Sequence, residues 1–79
     1  MTPIDSLQTA KRYRIRIQTV FGDYDCHGRF LRMEAWERRG SLWLEFSLTH
    51  IGERELPRRE RYWIRAWDVL EIEETERVR

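Results

Sequence analysis

The stretch from Glu60 to Glu73, read as Glu-Arg-Tyr-Trp-Ile-Arg-Ala-Trp-Asp-Val-Leu-Glu-Ile-Glu, constrains the fold of this chain more than any other. It predicts a short strand, one tight turn and a second short strand, with Tyr62, Ile64, Val69 and Ile72 as the inward set. An ending of this kind closes many small five-stranded β-barrels. It fixes architecture without fixing an activity, because no segment carries a specific catalytic or ligand signature.

Upstream the period is two almost everywhere. Tyr13, Ile15 and Ile17 share one face, and Arg12, Arg14, Arg16 and Gln18 the other, which predicts a half-buried strand over Arg12–Thr19 with a basic outer face. Phe21, Gly22 and Asp23 supply a turn in which Gly tolerates positive φ. A second strand runs from Tyr24 to about Glu34, and Gly28 in its middle predicts a bulge or sharp bend. Glu37 to Ser41 reads as a polar turn. Leu42, Leu44, Phe46 and Leu48 then alternate with Trp43, Glu45 and Ser47, giving a third strand with one apolar and one outward face. His50 to Arg59, with Gly52, Pro57 and five charges, is expected to be a long exposed loop. Residues 1–11 allow one or two helical turns, from which Ile4 and Leu7 could cover one mouth of a barrel. Residues 74–79 read as a charged tail on a single domain spanning 1–79.

A chain of 79 residues buries only about 60–65% of the surface its unfolded form exposes, which leaves no room for a large substrate cavity. Its apolar share of 41% still supports a core and argues against disorder, despite 37% charged residues. The net charge is +1, yet 14 of the 15 basic residues are Arg, whose planar fork suits carboxylates, phosphates and aromatic faces. A GC-rich genome accounts for the same bias. Asn is absent and Gln occurs twice, a composition that leans toward a thermophile. A lone Cys26 excludes an internal disulfide framework and fits a reducing cytosol. With no apolar leader and no apolar run of 18 residues, the chain is expected to be cytoplasmic, without a membrane partner.

In the order of its elements the chain resembles the Sm-like family of small barrels. The similar features are Pro3-Ile4-Asp5-Ser6-Leu7 as a capping helix, Arg12–Thr19 as the first strand, a Gly-containing turn, Gly28 at the bend of the second strand, and the strand–turn–strand ending. The resemblance implies an all-β, strongly bent, five-stranded antiparallel barrel with a short N-terminal helical turn. It also implies ring-like homo-oligomers that bind single-stranded RNA. That family reads a base with an Asn after its second strand, and this sequence has no Asn. Ala66-Trp67-Asp68 stands where the family carries an Arg-Gly-type signature, so no binding residue carries over.

Catalytic chemistry finds little support. Cys26 and His27 are neighbours in a strand and point to opposite faces, so they cannot form a nucleophile–base pair. Cys26 reads as a small hydrophobe at the edge of the core. Cys26, His27 and His50, with Asp23 or Asp25, lack the paired spacing of a zinc site, and the histidines read as solvated. Asp23 and Asp25 share a strand face, but an exposed hairpin tip offers no cleft to shift their titration. No enzyme activity, metal or cofactor is expected.

The outer aromatics carry the functional reading. If the third and fourth strands pair, Trp43 and Trp63 fall away from the Leu/Phe face, near Arg65 and Trp67. Clustered exposed Trp marks interfaces, and Trp and Arg are enriched at binding hot spots. Three uses compete: a homo-oligomer contact, stacking of single-stranded nucleic acid, and docking of a protein partner. Lys11 to Arg32 sums to +4 and Arg54 to Arg65 to +3, so two basic stretches could converge into a phosphate groove. The near-neutral total is low for a nucleic-acid binder. The expectation is non-enzymatic binding of single-stranded RNA, with Arg12, Arg14 and Arg16 against phosphates and Trp43 or Trp63, beside Arg65, against bases. The alternative is a protein-interaction or regulatory module that docks on a larger complex through the same Trp/Arg face.

Overall fold

The computed structural model describes residues 2–36 and 41–75. Its strands are β1 (Arg12–Thr19), β2 (Gly22–Trp36), β3 (Ser41–Ile51), β4 (Arg54–Arg65) and β5 (Val69–Glu74). They form one antiparallel sheet in the order β4-β3-β2-β1-β5. Gly22, at φ 122°, turns β1 into β2 in a conformation that only Gly adopts without strain. The Thr19 hydroxyl closes that turn, accepting from the Phe21 N–H and donating to the Gly22 carbonyl.

Strand alternation gives the sheet one apolar face, and a bend in β2 folds that face over itself. The core comprises Tyr13 and Ile15 of β1, Cys26 and Phe30 of β2, Leu44, Phe46 and Leu48 of β3, Ile64 of β4 and Ile72 of β5. Phe46 meets Tyr13 and Phe30 edge to face, at centroid distances of 6.5 and 5.4 Å. The buried Tyr13 hydroxyl is satisfied by the Gln8 N–H at 2.9 Å. The bend has a steric cause. A Cβ on Gly28 would collide with the Ser47 carbonyl oxygen and lie 2.8 Å from Leu48 Cα, so only Gly lets β2 pass this close to β3. The β2–β3 ladder slips between His27 and Gly28 and again between Phe30 and Arg32, and such bulges bend and twist the strand that carries them.

The expected barrel is not closed: β4 and β5 are the two edges of an open sheet. They are joined by a 3-10 turn, Ala66–Asp68, which redirects the chain instead of folding it into a paired hairpin. At the N-terminus the helical element is a single 3-10 turn, Ile4–Ser6, rather than one or two α-helical turns. Thr2 N–H ties it down by donating to the Ile72 carbonyl at 2.9 Å, and Ile4 and Leu7 pack against the core. The expected loop from His50 to Arg59 is also corrected. β3 continues to Ile51, Gly52 turns at φ 64°, and β4 begins at Arg54. Pro57 is tolerated because β4 is an edge strand and its ladder is interrupted there. Leu48 pairs with Glu60 and His50 with Glu55, which leaves residues 56–59 opposite Thr49 alone. Glu74 belongs to β5, and the Thr75 N–H still reaches the Arg12 carbonyl at 3.0 Å. The rest of the expected tail, 76–79, and most of the polar turn, 37–40, lie outside the described residues. Among the described residues no helix is long and apolar enough to cross a membrane.

Candidate functional site

Three strands bring the aromatic residues together. Across the outer face, Glu34 of β2 pairs with Trp43 of β3, which pairs with Arg65 of β4; one step along, Arg32, Glu45 and Trp63 stand in the same relation. Trp36 follows Glu34 at the strand period and lies over both other indoles, 4.8 Å from Trp43 and 5.6 Å from Trp63. Each of those two rings carries a guanidinium on its face. Arg32 stands 5.1 Å from the Trp63 centroid and Arg65 5.4 Å from that of Trp43, within cation–π range.

Beneath this layer lies a carboxylate that the alternation assigned to solvent. Glu45 is on the outer face but only 5% exposed, and Arg32 donates to it from Nε at 2.9 Å. Arg61 approaches its second oxygen at 3.9 Å. Burial of a charge requires compensation, and here the pairing supplies it. Trp36 Nε1 donates to Glu34 at 2.9 Å, whereas Trp43 Nε1 is buried without a hydrogen-bond partner among the described residues. The patch is therefore a braced second layer on the outside of the sheet, with Trp36 left 41% exposed at its crest.

Of the residues singled out from sequence, Trp43, Trp63 and Arg65 meet in this patch. Trp67 instead stands 75% exposed on the 3-10 turn before β5. Trp36 and Arg32 were missed, for a definite reason. Strict alternation from Phe30 would point Arg32, Glu34 and Trp36 inward, but the slip at Leu31 inverts the parity and turns all three outward. The signal in the sequence is that three polar or amphipathic residues occupy the inward parity while Met33 occupies the outward one.

The arginines of β1 are held differently. β1 lies between β2 and β5, and both neighbours present carboxylates to its outer face. Arg14 reaches Asp25 at 3.2 Å, Glu71 at 3.3 Å and Glu73 at 2.9 Å, and Arg16 Nε donates to Asp25 at 3.1 Å. The Glu73 hydrogen bond leads the causes that raise the Arg14 pKa, and the Arg16 hydrogen bond holds Asp25 below the usual carboxylate range. Asp25 is thus an anchor for two arginines and not the solvated turn residue expected. Arg12, the third of the set, lines a separate cleft with His27 and His50. Along β2, Asp25 and Arg32 to Trp36 stand on opposite sides of the Gly28 bend, so the β1 arginines pair with a different part of β2 from the aromatic patch.

Cys26 and His27 diverge, with Cys26 in the core and only 1% exposed. Burial pushes its thiol up to about 11, so the thiolate a nucleophile needs is scarce at neutral pH. Among the described residues no group of three or more His, Cys, Asp or Glu side chains is placed to hold a metal ion. No protein-family model, curated protein or solved structure matches this chain.

Proposed function

We propose that this chain is a non-enzymatic interaction module that docks on a partner protein through the outer β2–β3–β4 face centred on Trp36, Trp43 and Trp63. The observation that carries it is the three-indole stack, exposed at Trp36 and flanked by Arg32 and Arg65. Rings that brace one another lose little rotamer freedom on binding, which favours affinity per unit of buried area. Trp and Arg at the centre of a patch are also the residue types on which interface energy concentrates. The five-strand order and the close approach of β2 to β3 at Gly28 support kinship with Sm-like barrels, proposed on topology alone. A cytosolic setting fits the single reduced Cys26.

Single-stranded RNA is the second reading, favoured by the part-exposed Trp36 in a patch that also holds two arginines. It has less support. Guanidinium groups already cover Trp43 and Trp63, and carboxylates of the same sheet already hold Arg14 and Arg16.

A photo-crosslinking residue in place of Glu34, in cells that make the protein natively, separates the two. Capture of a defined protein that is lost with Trp63→Ser supports docking. Crosslinks to RNA, together with binding of short single strands at about 50 mM salt that Arg14→Ala weakens, would replace docking with the RNA reading. No crosslinked product of either kind would also overturn it.

A further inference from the structure

On the outer face most arginines are answered by a carboxylate. Arg14 and Arg16 share Asp25, Arg32 holds Glu45, and Arg65 approaches Asp68 at 3.9 Å. One row departs from this pattern. Arg29 of β2 pairs with Ser47 of β3, and Ser47 pairs with Arg61 of β4, so the row reads Arg-Ser-Arg. On its other side Arg29 stands opposite Arg12 of β1, and like charges placed directly opposite destabilise a sheet. Arg12 is engaged in an interaction of its own, so the charge left over is that of Arg29 and Arg61.

Arg29 has no ion pair or side-chain hydrogen bond among the described residues. The approach of Arg61 to Glu45, at 3.9 Å, is too long for a hydrogen bond, and Arg32 already serves that carboxylate at 2.9 Å. The largely exposed Arg61 guanidinium therefore has donors to spare. Neighbouring strands stand about 4.8 Å apart, so the two arginines rise roughly 10 Å from each other with the Ser47 hydroxyl between them. One acceptor placed over Ser47 is within reach of both arms and of the hydroxyl.

The row is continuous with the indole stack. Ser47, Glu45 and Trp43 are successive outward positions of β3, and Trp63 stands beside Glu45. Elsewhere on this strip the charges are already matched, Glu45 by Arg32 and Arg65 by Asp68. Only the Arg-Ser-Arg row is short of negative charge. A run of phosphodiesters would set its further charges against matched groups, whereas one side-chain carboxylate fills the single vacancy.

We propose that the docked partner presents an extended acidic peptide segment, with one Asp or Glu side chain over Ser47 between Arg29 and Arg61 and an apolar side chain against the indoles. This rests on docking through the outer face and specifies what docks there. Guanidinium groups give the carboxylate charge-assisted, two-pronged contacts, and such a contact fixes register and disfavours wrong partners. The row lies one to two strand steps from the indoles, about 7–14 Å, so the acidic and apolar residues of the segment stand about two to four positions apart.

Selection of random displayed peptides on the immobilised full chain tests this. Binders lost with Trp36→Ser should be enriched in Asp or Glu about two to four positions from an aromatic or aliphatic residue. A synthetic copy of one should bind Arg29→Gln and Arg61→Gln about tenfold more weakly by tryptophan fluorescence, while their amide spectra stay native. Replacing its acid by the amide should cost as much on the unaltered chain and little more on Arg29→Gln, as a shared contact requires. Binders that need Trp36 but lack acidic enrichment, or that bind both arginine variants unchanged, would overturn the acidic segment and leave docking intact. Failure to select any peptide would overturn it too, with docking then decided by the Glu34 crosslink. Binding of short single-stranded RNA that Arg29→Gln weakens, in place of peptide, would overturn it in favour of nucleic acid.

Discussion

His27 and Asp25 should set the acid response of the fold. His27 has a folded-state value below its unfolded one, so the unfolded chain takes up the proton first. Stability is therefore complete above about pH 6.5 and declines as pH falls from there to the lowered value. Asp25 adds a second stage. Held below the usual range by Arg16, its contribution is present above about pH 4 and lost as pH falls through its own lowered value. Urea denaturation at stepped pH should show the midpoint falling in two stages, and His27→Gln should remove the upper one alone. A profile that stays flat between about pH 7 and pH 5 would contradict the first stage.

β3 is the element on which the rest depends, since it lies between β2 and β4 and carries Leu44, Phe46 and Leu48 at 0%, 0% and 2% exposure. Leu44→Ala should cost about 2–5 kcal/mol through lost burial and the cavity left behind, read as a lower urea midpoint with an unchanged slope. β1 and β3 were legible in the sequence because strict alternation admits one apolar face, and Gly28 announced the bend. The sheet's openness was not legible, because a tight link between two strands does not say whether they pair. Nor was the first half of β4. Pro57 and its charged neighbours do exclude a central strand, but at an edge they are tolerated. The candidate patch was half legible. Trp43, Trp63 and Arg65 sit on stretches of β3 and β4 that keep their parity, while Trp36 and Arg32 lie beyond a one-residue slip that pattern reading cannot locate. Asp25 and Glu45 look like solvated carboxylates until the strands beside them supply arginines.

At the scale of the whole molecule, the open sheet presents two edge strands, β4 and β5, where backbone groups can pair with another chain, although the Ile72 carbonyl of β5 already accepts from Thr2. One is partly protected, since the interruption at residues 56–59 puts Pro57, Arg58 and Arg59 along β4. The other, β5, is only six residues long and carries Glu71, Glu73 and Glu74. Between the protected stretch and the 3-10 turn, the second half of β4 keeps its regular register from Glu60 to Arg65. That stretch should pair with a second copy, and sedimentation at micromolar concentration should show species heavier than the 9.8 kDa monomer. A monomer throughout that range would exclude a second copy and leave the Trp face to a different protein.

The β1–β5 ladder also governs when the fold can form. Arg14 meets Glu71 across 57 positions of chain, whereas the β1–β2 turn closes over a few residues. Closing so long a loop carries an entropy penalty before any contact offsets it, and non-local sheets of this kind fold in milliseconds to seconds. Neighbouring strands can pair as they emerge during synthesis, but β1 keeps a bare edge, and its arginines lack Glu71 and Glu73, until β5 arrives. A chain lacking Val69–Glu74 would leave a four-stranded sheet with that edge exposed, the state in which chaperones and neighbouring chains compete for it.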